Sequence, residues 1–186
     1  MKANGFNAIF VHARPYSDRM FLKTSYTHNG KTYTVYEPFS HHVSNTRGTE
    51  TSYDPLAFWV EECHKRGMEC HAWINPLRFC NTAGDVTTPG WPCNSLNVDK
   101  EVWNNGWIIY QYQASESSKT TKFCYDPSLS DVRTRINNVC AVIAGNYDVD
   151  GIVWDDYFYP DGIPEDSSAG DYDRYQSYLS NGGTMS

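Results

Sequence analysis

Two adjacent carboxylates follow an apolar run late in the sequence and are the strongest candidates for chemistry. Asp155 and Asp156 come directly after residues 149–154. Ionised carboxylates are costly to remove from water, so a purely structural role fits this position poorly. Strand side chains alternate between two faces, so Asp155 shares the face of Gly151 and Val153. A carboxylate there can act as a nucleophile or base, or can stabilise an oxocarbenium-like transition state, when a glycosidic bond is hydrolysed.

The residues beside Asp155 extend this candidate site and leave alternatives open. We expect Asp156 to support Asp155 in catalysis. Tyr157 and Tyr159 follow, and their flat rings with polar tips suit the faces of sugars. In the structural alternative, one aspartate caps the next turn and the other pairs with an arginine. A cation site is a weaker alternative, because two carboxylates alone are a thin ligand set.

The apolar run at residues 6–14 also ends in polar side chains. By alternation His12 and Arg14 share a face, and Asp18 follows soon after. We expect all three to line the sugar site. An arginine at a strand end can clamp two hydroxyls or a carboxylate, and can hold Asp155 ionised. An internal salt bridge that holds the following loop is the equally weighted alternative for Arg14.

A third set of polar side chains ends the run at residues 68–75. His71, Trp73 and Asn75 share a face, and Arg78 follows. Trp73 offers a flat platform for a sugar, and Asn75 can hydrogen-bond to a hydroxyl. The alternative for both side chains is that they fill the interior of the fold. We expect His71 and Arg78 to contact the same ligand.

Strands and helices alternate along the chain. The patterns predict strands at residues 6–14, 68–75 and 149–154, and helices at 54–67 and 126–145. Each helix is expected to begin with an aspartate cap followed by a proline, Asp54-Pro55 and Asp126-Pro127. Residues 16–53 read as a long polar loop, and residues 106–113 and 120–125 as a β-hairpin insertion. This order predicts an α/β fold with a parallel sheet, whose functional groups lie at the carboxyl ends of the strands.

The composition excludes several classes of function. The net charge of −7 argues against nucleic acid and against an anionic membrane surface, since both need a basic face. The sequence contains no apolar run long enough to span a membrane, and no signal peptide, so we expect any export signal to lie outside this chain. It has no nucleophile elbow, phosphate loop or dinucleotide fingerprint. The sequence is also rich in aromatic residues, with 14 tyrosines and 6 tryptophans. This composition is as consistent with an aromatic-rich core as with stacking on sugar rings.

Cysteines and histidines do not form a metal-binding pattern. The six cysteines have no CxxC spacing, and Cys63 and Cys140 read as small buried apolar residues. One disulfide is open among the three that flank a loop region, Cys80, Cys93 and Cys124, if the protein is extracellular. His12 and His71 lie on separate strands, where a hydrogen-bonded core histidine is commoner than a metal ligand. We therefore predict no metal and no cofactor.

Three stretches in a fixed order resemble a known bacterial family. They are GFNAIFVHARPYSD (5–18), YDPLAFWVEECHKRGMECHAWINPLRF (53–79) and YDVDGIVWDDYFYP (147–160). Their ordered combination is similar to the glycosyl-hydrolase-like family ten, formerly a domain of unknown function. The resemblance implies a (β/α)8 TIM-type barrel that hydrolyses glycosidic bonds in peptidoglycan or another polysaccharide. It also implies an exported protein, periplasmic, secreted or anchored by lipid at the cell surface.

The resemblance covers only part of a barrel. Residues 1–162 correspond to strands two to four of the family's fold, so we predict an incomplete barrel domain followed by a polar, disordered tail at 163–186. The segment DGIVWDD is also similar to strand four of alpha-amylase-type barrels, where the nucleophile stands at the Asp155 position. A full barrel takes about 250 residues, and the missing strands would supply the second carboxylate. We therefore expect this chain alone to be inactive and to self-associate through open sheet edges; a non-catalytic glycan-binding module is the alternative function.

Overall fold

The computed structural model describes residues 1–83, 97–112, 120–155 and 172–184. A short 3-10 helix at Lys2–Asn4 precedes the regular elements. These are β1 Ala8–Arg14, β2 Ser25–His28, β3 Lys31–Thr34, α1 His41–Ser44, α2 Pro55–His64, β4 Glu69–Ile74, β5 Arg78–Ala83, α3 Asn97–Asn104, β6 Ile108–Tyr112, β7 Thr120–Tyr125, α4 Ser130–Asn146, β8 Gly151–Trp154 and α5 Tyr172–Ser180. None of the helices in these ranges is long and apolar enough to cross a membrane.

The described residues cluster into two compact units. The first contains those of 1–78 and 127–155, and the second those of 79–126 and 172–184. The sequence predicts one domain over residues 1–162 that includes the hairpin as an insertion, and this domain boundary stays a prediction. The three parallel strands and both crossover helices lie in the first unit.

A three-stranded parallel sheet in the order β1-β4-β8 forms the centre of the first unit. Helix α2 lies in the connection from β1 to β4, and α4 in the connection from β4 to β8. This arrangement confirms the predicted α/β fold and is that of a partial (β/α) barrel. Residues opposite each other share a face, as in the row His12, Trp73 and Val153.

The two faces of this sheet differ in what covers them. One face packs against α2 and α4 and forms a core of buried apolar side chains, Ala13, Leu56, Val60, Cys63, Cys70, Ala72, Ile74, Val139, Val142 and Ile143. On the opposite face the ring of Phe10 stays 56% exposed, and His12, His71 and Trp73 follow it at alternate positions. His12, His71 and Trp73 therefore lie on the face away from the helices, which is the interior face in a barrel. The expectation that Arg14 shares this face is wrong, because the register shifts after His12 and pairs Arg14 with the core residue Ile74.

The two predicted helix starts turned out differently. Asp54 caps α2, where its Oδ1 accepts a hydrogen bond of 3.3 Å from the Ala57 amide. The second predicted cap is wrong, because α4 begins after Leu129, which makes no side-chain cap bond. The carboxylate of Asp126 instead accepts a hydrogen bond of 2.7 Å from Arg174, so it is engaged away from the helix end.

Residues 16–53 are more regular than the predicted polar loop. Strands β2 and β3 form an antiparallel hairpin, and Asn29 and Gly30 turn between them with φ of 49° and 77°. An Asn-Gly pair is the usual signature of such a turn, because both residues tolerate positive φ. The hairpin is tied to α4 by Asn138, which donates to the Thr34 carbonyl at 3.1 Å.

The second unit contains the sheet β5-β7-β6 with α3 and α5. Strands β6 and β7 pair antiparallel, from Ile108 with Tyr125 to Tyr112 with Thr121, which confirms the predicted hairpin. The described part of the predicted tail 163–186 contains α5, Tyr172–Ser180. Arg174 in this helix forms an ion pair with Asp126.

Candidate functional site

The carboxyl ends of β1, β4 and β8 meet at one edge of the parallel sheet. The hydrogen-bond ladder runs one residue beyond the strands: the Asn75 amide donates to the Arg14 carbonyl at 2.9 Å, and the Asp155 amide donates to the Ile74 carbonyl at 3.0 Å. Asp155 is therefore held by the backbone of its neighbouring strand. Because it lies two positions after Val153, it falls on the face of His12 and Trp73.

His12 and Trp73 form an aromatic contact on this face. Their ring centres are 4.3 Å apart and the planes are nearly perpendicular, at 83°. The indole Nε1 of Trp73 is buried and has no hydrogen-bond partner within the described ranges. A buried N–H without an acceptor is costly, so this donor is suited to a ligand oxygen.

The pKa of His12 is lowered, chiefly by burial and then by the positive charges of Arg78 and His42. The carboxylates of Asp155 and Asp18 act in the opposite direction and are weaker. His12 is therefore neutral at neutral pH, so its ring can both donate and accept a hydrogen bond. The negative charge of Asp155 thus acts on His12 at this edge of the sheet.

A pocket of about 320 Å³ opens beside His12. It is lined by His12, Pro15, Tyr16, Met20, His42, Asn75 and Arg78. The guanidinium of Arg78 lies over the ring of Tyr16, 5.5 Å from its centre. Sequence reasoning identified His12, Asn75 and Arg78 but missed Tyr16 and His42, because both belong to the segment that reads as a polar loop.

Asn75 is 4% exposed and is one of the residues that line this pocket. Its Nδ2 donates to the Pro15 carbonyl at 2.8 Å, which fixes the side-chain amide. Its Oδ1 is buried and finds no donor within the part of the chain that the structure describes. The strand end therefore carries one fixed acceptor on Asn75 and one unmatched donor on Trp73.

Arg14 and Asp18 are both 1% exposed and support the site from within the protein. Arg14 pairs with Glu37 and donates from Nη1 to the Asn75 carbonyl at 2.5 Å. It thus makes the internal salt bridge that the sequence offered as the alternative to a sugar contact. Asp18 accepts a hydrogen bond of 3.1 Å from the Tyr16 amide, which holds the turn after β1.

His71 lies one row further from the carboxyl edge than Trp73, where it pairs with Phe10 and Gly151. Its Nε2 is 3.0 Å from Glu69 Oε2, and its ring contacts Phe10 at 5.0 Å. Within the described ranges, no three metal-ligating side chains come together. Of the other predicted site residues, Asp156, Tyr157 and Tyr159 lie outside the described residues.

Of the three cysteines that flank the loop region, the structure describes the side chain of one, Cys124. Cys124 is present as a thiol, whose Sγ donates to the Tyr125 carbonyl at 3.3 Å. The side chains of Cys80 and Cys93 lie outside the described residues, so a bond between them stays a prediction.

A parallel sheet with crossover helices and polar side chains at its carboxyl edge is the arrangement of a partial (β/α) barrel. A family model described as Glycosyl hydrolase-like 10 matches residues 2–184. The chain belongs to this glycosyl hydrolase-like family, and the predicted resemblance is confirmed.

Two relatives of this chain have names that match the family. Glycosyl hydrolase YngK of Bacillus subtilis (strain 168) is 29% identical over 157 residues, which are 84% of this chain and 26% of that protein. Glycosyl hydrolase DigH of Escherichia coli (strain K12) is 32% identical over 143 residues, which are 76% of this chain and 30% of that protein. The chain thus spans less than a third of the length of either relative.

Proposed function

We propose that this chain forms part of the active site of a glycosidase that cleaves a polysaccharide, with the glycan of the bacterial cell wall as the preferred substrate. Asp155 is the nucleophile or the group that stabilises positive charge in the transition state. One observation carries the assignment. The Asp155 amide is bonded to the end of β4, which sets the residue beside the face that carries His12 and Trp73.

The neighbouring polar groups match the chemistry of a sugar. A hydroxyl both donates and accepts hydrogen bonds, so sugar hydroxyls can satisfy the unmatched Trp73 Nε1 and Asn75 Oδ1. Tyr16 in the pocket lining adds an aromatic surface of the kind that stacks on sugar rings. Asp156 is proposed to support Asp155, with Tyr157 and Tyr159 as further sugar contacts.

The substitution Asp155→Asn tests the catalytic role in the protein as it occurs naturally. It keeps the shape of the side chain and removes its charge, so we expect turnover of a cleavable peptidoglycan glycan to fall by about 100-fold or more. The control Asp148→Asn changes an aspartate that is 96% exposed and precedes β8, and it should leave turnover unchanged. Near-normal turnover in Asp155→Asn would refute the assignment.

A second reading, a glycan-binding module without catalysis, is favoured by the same two unmatched groups, since neither needs a carboxylate. It would be supported if Asp155→Asn bound glycan fragments normally and the unmodified protein released no product. One further expectation remains a proposal: the protein is exported.

A further inference from the structure

Glu37 lies buried where three segments of the first unit meet. It belongs to the connection between β3 and α1 and is 2% exposed. Its Oε1 is 3.4 Å from Nε of Arg14 at the end of β1, and 3.2 Å from Nε of Arg135 in α4. A buried carboxylate is tolerated only when it is well paired, and here two guanidiniums share it.

Glu37 is held through its side chain by charge and through its main chain by a hydrogen bond. Burial alone would raise the pKa of Glu37, but Arg135 and Arg14 outweigh it and the pKa lies below its usual value. Glu37 is therefore ionised at neutral pH. Its carbonyl oxygen also accepts a hydrogen bond of 3.0 Å from Nε of Arg19, so the residue is held at the backbone and at the side chain.

Arg14 connects Glu37 to the candidate site. Its Nη1 donates to the carbonyl oxygens of Asn75 at 2.5 Å and Pro76 at 3.2 Å. Its own carbonyl accepts from the Asn75 amide. These three bonds hold the turn that follows β4, and the side chains of Asn75 and Arg78 on this turn line the pocket.

We propose that Glu37 is a positioning residue for the candidate site: its carboxylate orients Arg14, which holds the turn at 75–78 in the geometry that presents Asn75 and Arg78 to the pocket. The relevance of this geometry to glycan binding rests on the proposed function, whereas the coupling itself does not. Glu37 does not contact the ligand in this scheme. It acts through Arg14 and through two main-chain carbonyls.

The substitution Glu37→Gln keeps the size of the side chain and removes its charge. The matched control is Glu50→Gln, because Glu50 also pairs with a buried arginine, Arg19, but is 53% exposed. Hydrogen exchange of the full chain is the first measurement. In Glu37→Gln, the amides of Asn75, Leu77 and Arg78 should exchange about tenfold faster or more, relative to amides within α2. In Glu50→Gln they should not.

A double variant separates positioning from overall stability. Glu37→Gln leaves two buried guanidiniums without their carboxylate, and Arg135→Gln removes one of them. In Glu37→Gln/Arg135→Gln the denaturation midpoint should return towards that of the wild type, while exchange at 75–78 stays fast. If stability and exchange recover together, or if exchange in Glu37→Gln rises equally in every element, Glu37 is only a stabilising residue and the proposal is overturned.

Ligand affinity supplies the second measurement. With N-acetylchitotetraose as a soluble glycan probe, the double variant should bind at least about tenfold more weakly than the wild type, because Asn75 and Arg78 are displaced. If exchange responds as expected but affinity for the probe is unchanged, the positioning role stands and the proposed glycan site fails. If affinity drops without any change in exchange at 75–78, the positioning role fails and the glycan site stands.

Discussion

Tyr147 joins three segments of the first unit, and its hydroxyl can be removed without changing the shape of the core. The hydroxyl donates to Asp54 Oδ2 at 2.7 Å and accepts from the Lys23 amide at 3.0 Å. The same Oδ2 accepts from the Leu22 amide at 3.2 Å. Burial raises the pKa of Tyr147, and the Asp54 carboxylate adds to that rise, so the hydroxyl keeps its proton and remains a donor.

The expected cost of Tyr147→Phe follows from these bonds. A hydrogen bond to a charged acceptor contributes about 1.5–3 kcal/mol. The Lys23 amide, left without its acceptor in a partly buried position, adds up to about 1 kcal/mol. The ring itself is retained, so its contact with Phe21, at 5.9 Å between centres, persists and no cavity forms. We therefore expect the free energy of unfolding to fall by about 1.5–4 kcal/mol.

Urea denaturation followed by circular dichroism measures this change. The control is Tyr36→Phe, because Tyr36 is 61% exposed and its hydroxyl can exchange a partner for water, so its effect should stay within about 0.5 kcal/mol. A loss below about 0.5 kcal/mol in Tyr147→Phe would show that the bond to Asp54 contributes nothing net to stability. The account of this junction would then be wrong.

Two further predictions concern pH and packing. The pKa of His64 is raised, mainly by its hydrogen bond to Asp150 and further by the charge of Asp148. Because the pKa is higher in the folded state, the interaction stabilises the fold fully below about pH 6.5. This stabilisation is lost as the pH rises through the pKa of His64 in the folded protein. The thermal midpoint should therefore show this loss in the wild type and not in His64→Gln, and identical pH profiles would contradict it. Gly151→Ala would place a Cβ 2.6 Å from Nδ1 of His71 and should cost about 1–3 kcal/mol. His71→Ala should relieve most of that cost in the double variant, and an unrelieved cost would refute the steric explanation.

The fold was predictable where local pattern and tertiary structure agree. The three parallel strands are short apolar runs followed by polar residues, and the helices between them carry apolar stripes. Local signals failed where a distant partner decides the outcome. Asp126 followed by a proline is a typical start of a helix, but its carboxylate accepts a hydrogen bond from Arg174, 48 positions later. The β2-β3 hairpin was available from Asn29-Gly30 and was obscured by its polar surroundings.

The candidate site, like the fold, could be predicted only in part from the sequence. Strand alternation and the alignment of strand ends in a parallel sheet were sufficient to group His12 with Trp73; that Asp155 joins them in a sugar site stays a prediction. It could not reveal Glu37, whose arginine partners are 23 and 98 positions away. Nor could it decide that Arg14 is enclosed by protein, since an exposed sugar clamp and a buried ion pair require the same residue type.

The bond from the Asp155 amide to the Ile74 carbonyl has a consequence for how such a protein can diversify. The main chain at Asp155 is bonded to the sheet itself, so it is held from the side of β4. In the proposed glycosidase, the segment that follows could change in length and composition, and thereby alter which sugars are admitted, while the proposed catalytic residue keeps this bond. Substrate preference and bond cleavage can in this way be modified separately within one scaffold.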